Sequence, residues 1–377
     1  MRPIPIIAVT RSFDSGGTEQ HLLQTLPRLN REKFAVTILA LYRGGALAEA
    51  FTQSGVNVRP GSSSRIGALS RLASQAAGHR SLVHCFLPEP YLLGAPVGLM
   101  AGSTVLMSRR SRNTYQQHHP VAAWFERRLH RRMAALVGNS RPVVADLLAE
   151  GAPPGRVRLI YNGIDTGRFL CGNQREAKRQ EVRTRLGLAD DVVVLTCVAN
   201  LFRYKGHADL LRSLAMLSPV IAANCVMLLA GRDAGEADSL QRQAVELGIS
   251  GRVRFLGERR DVPDLLVASD IAVLASQEEG FSNAVLEGMA AGLPMVVTDV
   301  GGNAEAVIDG KNGFVVPARE PALLAEAMSA LIGDAGRRRA MGDAARVRVT
   351  ESFSIDASVF AYEALYEEIW ARYGNGL

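Results

Sequence analysis

Short apolar runs recur along the chain, separated by amphipathic or polar stretches, and this alternation is the first structural signal. Residues 4–9, 35–41, 82–86, 104–107 and 135–138 are too short for buried helices and suit strands. Helical patterns lie between them, at about 18–29, 47–53, 122–135 and 142–150. Strand and helix in turn predict a parallel sheet covered on both faces. A short strand at 157–160 then runs into Tyr161-Asn162-Gly163-Ile164-Asp165, a turn-rich hinge, and residues 167–185 are polar and basic. A fresh hydrophobic strand at 192–198 restarts the alternation, with strands at 226–229, 253–256, 271–274 and 295–298 and helices at about 207–217, 237–247 and 264–268. Near the end, Tyr362, Leu365, Tyr366, Ile369 and Trp370 fall at i, i+3, i+4, i+7 and i+8, the stripe of a helix that has to dock on something. The pattern predicts an α/β protein of two Rossmann-like parallel-sheet domains facing a cleft. They span 1–165 and 166–354, and a terminal helix, 355–377, crosses back to the first domain.

Composition agrees with two cores. A chain of 377 residues exceeds the usual single core, and 47% apolar against 21% charged residues can fill two. Cys85, Cys171, Cys197 and Cys225 are scattered, with no pair at metal or redox spacing, which predicts free thiols in a reducing cytoplasm. The longest apolar stretch, 86–107, is broken by Glu89, two prolines after it and three glycines and splits into a short helix and a strand, so no membrane span is expected. The N-terminus looks like a first strand and not a signal peptide.

Charge is uneven. Residues 1–165 hold 20 Lys and Arg against 9 Asp and Glu, and the remainder 23 against 28. The basic half is expected to meet something anionic. Arg109, Arg110 and Arg112 follow a strand's C-terminal end, where open α/β sheets bind ligands, and are candidates for a phosphate-bearing acceptor; a solvated basic loop is the plain alternative. His84, at another strand end, is a candidate acceptor contact or a core histidine, and His118 and His119 read as loop residues. In the helix at 122–135, Arg127, Arg128, Arg131 and Arg132 flank Trp124, Phe125 and Leu129. That set suits an anionic membrane surface, or equally a helix with a core face and solvated arginines.

The chemistry concentrates at Glu278-Glu279-Gly280-Phe281-Ser282-Asn283-Ala284-Val285-Leu286-Glu287. A strand precedes it, Gly280 gives a turn, and a helix follows until Gly292 and Pro294 stop it. Ser282 is a good N-cap, which would leave the Asn283 and Ala284 amides for an anion. A carboxylate on each side of a phosphate, Glu279 and Glu287, suits a ligand with hydroxyls at both ends. In the first half Gly16-Gly17 sits at a strand-to-helix turn where backbone can approach a ligand, but without the G-x-G-x-x-G dinucleotide fingerprint.

These residues resemble the retaining nucleotide-sugar glycosyltransferases of family 4, which have the GT-B fold. The resemblance rests on Asn200 to Gly206 with its Lys205-Gly206, Val253 to Gly257, Ala268-Ser269-Asp270-Ile271, Glu279-Gly280-Phe281-Ser282 reaching Glu287, Ala291-Gly292-Leu293-Pro294, Gly301-Gly302 with Glu305, and Asn312-Gly313. Gly16-Gly17, Asn139-Ser140 and Tyr161 to Asp165 extend it over nearly the whole chain. It implies a nucleotide-diphospho-sugar, UDP- or GDP-linked, held mainly by the second domain. Glu279 would meet sugar hydroxyls, Glu287 the ribose, and Ser282 and Asn283 the diphosphate, with Gly16, Gly17, Asn200, Gly231, Gly280 and Phe281 around the donor. Lys205, helped by Arg203, would neutralise the departing diphosphate. The family pattern often carries an arginine at the position of Asn200 and a histidine where this chain has Ser108-Arg109-Arg110. With no Asp-x-Asp in the chain, no metal and no other cofactor are expected. The implied activity is a hexosyl transfer with retention to a lipid-linked or saccharide acceptor in surface polysaccharide or glycolipid synthesis, in the cytoplasm or at the inner face of the cell membrane, with no nucleic-acid partner. The rivals are a sugar-nucleotide epimerase of the same fold and a non-catalytic basic protein that binds membrane or nucleic acid.

Overall fold

A computed structural model describes residues 2–77, 80–112, 116, 119–170 and 172–374. Cys171 and His118 lie outside the described residues. The chain divides into two compact units, Met1–Gly163 with Ile355–Leu377, and Ile164–Ser354. The first break falls two residues before Asp165, inside the turn-rich hinge.

The first unit is built on seven parallel strands: β1 Ile4–Thr10, β2 Phe34–Ala40, β3 Asn57–Arg59, β4 Leu82–Phe86, β5 Thr104–Arg109, β6 Ala135–Gly138 and β7 Val157–Leu159. Their order is β3-β2-β1-β4-β5-β6-β7. The second unit has six: β8 Val193–Val198, β9 Cys225–Ala230, β10 Val253–Gly257, β11 Ile271–Leu274, β12 Met295–Thr298 and β13 Gly313–Val316, ordered β10-β9-β8-β11-β12-β13. Strands β9, β11 and β12 are buried along their whole length, as a parallel sheet covered on both faces requires. In each sheet the order reverses next to the first strand, so the crevices for ligands open past the C-terminal ends of β1 and β4, and of β8 and β11.

The helix Ile355–Ile369 belongs to the first unit. Tyr362, Leu365, Tyr366 and Ile369 pack with Ile6, Leu82, Leu106 and Val137 in one core, and Trp370 packs against it. The apolar stretch at 86–107 forms the helix Pro88–Met100, longer than expected, and β5. No helix among the described residues is long and apolar enough to cross a membrane.

Several elements gave no readable pattern. The polar segment at 167–185 contains the helix Gly172–Arg185, which buries only Val182 and Arg183. It is held by charge, since Arg179 and Arg183 both pair with Asp270. The helix Ala335–Ser352 buries Met341, Gly342, Ala345 and Val349. Gly342 is there because the backbones touch: a Cβ on it would lie 2.2 Å from the Gly292 carbonyl oxygen.

Candidate functional site

The loop after β8 and the loop after β11 meet at the second sheet's reversal point. Residues Arg203–Lys205 form a 3-10 turn that ends at Gly206, whose φ is 70°. A Cβ at Gly206 would stand 1.9 Å from the Ala275 carbonyl oxygen, just past the end of β11. Glycine therefore lets the two loops close on each other, and the Gln277 amide donates to the Tyr204 carbonyl at 2.7 Å. The result is an ion pair, with Lys205 Nζ 2.6 Å from Glu279 Oε1 and side chains 18% and 9% exposed. Ser276 Oγ donates to the same oxygen at 2.8 Å. Among the described residues no donor reaches Glu279 Oε2. Burial alone would lower the Lys205 pKa, but the Glu279 carboxylate outweighs it and raises it, so the ammonium stays charged. His207 beside it is driven down to about 4, by burial first and then by the lysine charge.

Gly301 braces the carboxylate loop from the other side. Its φ is 55°, and a Cβ there would lie 2.2 Å from the Glu279 carbonyl oxygen. The Gly302 amide donates to Gly280 at 2.7 Å. The helix Asn283–Ala290 then starts with Ser282 at the N-cap, but the Ser282 side chain makes no capping hydrogen bond. One turn further in, Glu287 is half-buried and among the described residues has no hydrogen-bonding partner. Burial pushes its carboxyl up to about 7, with Arg168 drawing it back.

Other expected donor contacts serve the scaffold. Phe281 is buried and packs tilted against Phe353 with ring centroids 5.2 Å apart. Asn200 Oδ1 accepts from the Arg232 amide at 3.0 Å, and Gly231 lets its backbone touch Ala199, where a Cβ would come within 2.0 Å of the carbonyl oxygen. These two residues lock the loop after β8 to the loop after β9. Arg203 is exposed and lines a concavity that neither Lys205 nor Glu279 lines.

In the first unit, Gly16 caps the helix Gly17–Thr25 at the end of β1. Below it sits an acid that sequence reading missed. Glu19 is buried, bonded to Thr10 Oγ1 at 2.9 Å, and its pKa is raised by burial. Its place in the first turn after a glycine pair was the available signal. The expected acceptor set does not assemble. Arg109 is 3% exposed and held by Glu150 at 2.6 Å and Glu126 at 2.8 Å. That guanidinium also occupies the metal-like cluster of Glu126, His130 and Glu150. Arg112 forks onto Asp146 at 2.5 and 3.1 Å. Arg110 is half-buried, and its Nη2 donates to Asn162 at 2.6 Å. His84 is a core residue with no exposed surface, set between Tyr366 Oη and Ser108 Oγ at 2.8 Å each, and burial and the Arg110 charge lower its pKa to about 3.

The helix Pro120–His130 keeps Val121, Trp124 and Phe125 exposed, at 79%, 57% and 40%. Arg128 lies over the Trp124 ring at 4.4 Å, and Arg127, Arg131 and Arg132 are exposed. The apolar set is therefore only partly core.

Comparison with known proteins agrees with this architecture. Residues 178–348 match the family model described as glycosyl transferases group 1, and residues 15–168 match glycosyltransferase family 4. A D-inositol 3-phosphate glycosyltransferase of Salinispora arenicola is 30% identical over 82% of this chain and 73% of its own length. An N-acetyl-alpha-D-glucosaminyl L-malate synthase of Bacillus anthracis is 29% identical over 59% of this chain and 57% of its own. Among solved structures, Anabaena Alr3699/HepE in complex with UDP superposes with a TM-score of 0.85 at 22% identity, covering 97% of this chain and all of that one, and so shares the fold. Two Rossmann-like units of this order, and a relative matched along most of both lengths, show that the chain belongs to the family 4 glycosyltransferases, with the GT-B fold.

Proposed function

We propose that the protein transfers a sugar from a UDP- or GDP-linked donor to a lipid-linked or saccharide acceptor with retention of anomeric configuration, in the assembly of surface polysaccharide or glycolipid. The Lys205–Glu279 pair, followed by the start of the helix Asn283–Ala290, carries this reading. The diphosphate lies at the helix start, where first-turn amides and the helix dipole stabilise an anion. Glu279 accepts a sugar hydroxyl on Oε2, and Glu287, without a protein partner, accepts the ribose hydroxyls. As the glycosidic C–O bond breaks, negative charge grows on the diphosphate, and an ammonium already in place stabilises it most in the transition state. The departing phosphate oxygen takes the acceptor's proton on the same face, which retains the configuration. Lys205 supplies the charge that a bridging metal would otherwise bring, so no metal is part of the proposal.

UDP is favoured as the nucleotide because solved proteins of this fold hold UDP and UDP-glucose. A second acceptor reading, a small hydroxylated oxyanion, is supported by the names of the relatives, whose substrates include D-inositol 3-phosphate and L-malate. The protein is placed by this proposal in the cytoplasm, at an anionic membrane face through Trp124, Phe125 and the four arginines around them. The test is nucleotide release from UDP-, GDP- and ADP-sugars, with thermal stabilisation by UDP and GDP and the product anomer read by proton NMR. Inverted product, or no nucleotide preference, overturns the reading.

A further inference from the structure

Arg203 leads to a second concavity in the unit Ile164–Ser354, of about 930 Å³. Its charges are of two kinds. Asp209 is 7% exposed and saturated, with Oδ1 taking Arg212 at 2.6 Å and Oδ2 taking Gln277 at 3.0 Å. Arg203 and Arg319 are exposed, and among the described residues neither guanidinium has a hydrogen-bond or ion-pair partner. Arg319 also sits at φ 65°, and the only other non-glycine residue at positive φ among the described residues is Leu87. Glycine is the residue of choice there, and an arginine held in that conformation on a cavity wall marks a place where strain is kept for a ligand.

The rest of the wall offers acceptors. Gln243 donates its Nε2 to the Ala208 carbonyl at 3.0 Å, which leaves its Oε1 for a ligand. Glu236 lies at the same wall with its carboxylate unpaired among the described residues. A bare anion would gain from the two arginines but meet the Glu236 charge; an anion on a body with hydroxyl donors would satisfy both. The lining holds no aromatic ring to stack a base and is too polar for an acyl chain. We propose that this concavity is a second ligand site that takes a sugar-borne oxyanion, with its phosphate or carboxylate at Arg203 and Arg319 and its hydroxyls at Glu236 and Gln243. The site goes beyond the donor reading, since Lys205 and Glu279 are not part of its wall. It is coupled to them all the same. Arg203 opens the turn that carries Lys205, and the Gly206 amide donates back to the Arg203 carbonyl at 3.2 Å, so a ligand that fixes Arg203 steadies the aim of Lys205.

Calorimetric titration of the full chain with glucose 6-phosphate, glucuronate and inorganic phosphate, with and without UDP, tests this. Glucose 6-phosphate or glucuronate binds at least tenfold tighter than inorganic phosphate, and UDP does not displace it; the tighter of the two tells phosphate from carboxylate as the natural group. Arg319→Gly weakens that binding at least tenfold without lowering the melting temperature, because glycine prefers this backbone, while Arg319→Lys stays within threefold of wild type. Competition by UDP, equal affinity for inorganic phosphate, no binding of either sugar acid, or an unchanged Arg319→Gly overturns the proposal. Failure of UDP to bind overturns the donor reading and leaves this one standing.

Discussion

Replacing Lys205 by Met separates two roles of the Lys205–Glu279 pair. In the folded protein the substitution strands a carboxylate that is 9% exposed with Ser276 as its remaining donor. Removing one partner of a buried pair costs roughly 3–5 kcal/mol. Here the lysine side chain is 18% exposed, so water reaches the site and about 2–3 kcal/mol is expected. The double variant Lys205→Met with Glu279→Gln strands no charge, and its stability should return to within about 1 kcal/mol of wild type. Turnover behaves differently. A preorganised donor aimed at developing charge contributes about 10²–10³ in kcat, and the double variant has no way to regain it. Urea unfolding and nucleotide release from a UDP-sugar, measured on wild type, both single variants and the double, give the full cycle. Recovery of stability without recovery of kcat is the expected result. Lys205→Met turning over within tenfold of wild type refutes the catalytic role, and a double variant as unstable as Lys205→Met refutes the pairing argument.

Gly206→Ala places a Cβ 1.9 Å from the Ala275 carbonyl at φ 70°, and should cost about 2–4 kcal/mol and most of the activity; a melting temperature within 1–2 °C of wild type, about 1 kcal/mol or less, sinks the close-approach argument. Glu287 has its folded pKa raised from 4.5 to about 7. The folded state then binds more protons than the unfolded one across that window, so this group's contribution to stability falls as pH rises from 4.5 to 7 and is flat above. UDP, accepted by the ionised form, should bind tighter as pH climbs through 7, and Glu287→Gln should remove both trends, as urea titrations and calorimetry across that range would reveal. Exchange of Arg127, Arg128, Arg131 and Arg132 for Gln should release the protein from phosphatidylglycerol vesicles, each basic residue contributing about 1 kcal/mol; cosedimentation unchanged by the exchange ends the membrane proposal. Turnover should survive EDTA, and a loss restored by added Mg²⁺ would show that Lys205 does not replace a metal.

Much of the fold was legible because parallel strands buried on both faces are continuous apolar runs, and β6, β9, β11 and β12 stand out as such. The elements that escaped are those whose stability comes from elsewhere in the chain. Gly172–Arg185 shows no apolar stripe, because what fixes it is Asp270, nearly ninety residues away. Ala335–Ser352 packs through small residues, and a glycine touching a backbone carries no hydrophobic signal. The terminal helix, with its Tyr362 to Ile369 face, announced that it must dock, and it belongs to the first unit, as expected.

The site residues divide along the same line, and charge balance explains why. Arg109 is the last residue of β5 and Arg110 and Arg112 follow it, much as Lys205 follows β8, and in sequence the two groups look alike. Arg109 and Arg112 are neutralised by Glu126, Glu150 and Asp146, which lie 17 to 41 residues away and bear no pattern that links them to the arginines, while Arg110 is held through one nitrogen by Asn162 and leaves its Nη1 unbonded among the described residues. Lys205 is paired as well, but its partner Glu279 keeps one carboxylate oxygen unbonded, beside a helix whose cap side chain is free and whose Glu287 has no partner. A cation after a strand is thus directed at a ligand when its own chain leaves part of the local hydrogen-bonding capacity unused. By that criterion the reversal point of the second sheet is the place where the proposed donor is to be sought, and Arg109 and Arg112 are structure. The criterion also picks out Arg203, which was expected to assist Lys205, and Arg319, which no motif marked, and the titration with glucose 6-phosphate therefore tests the rule as well as the pocket.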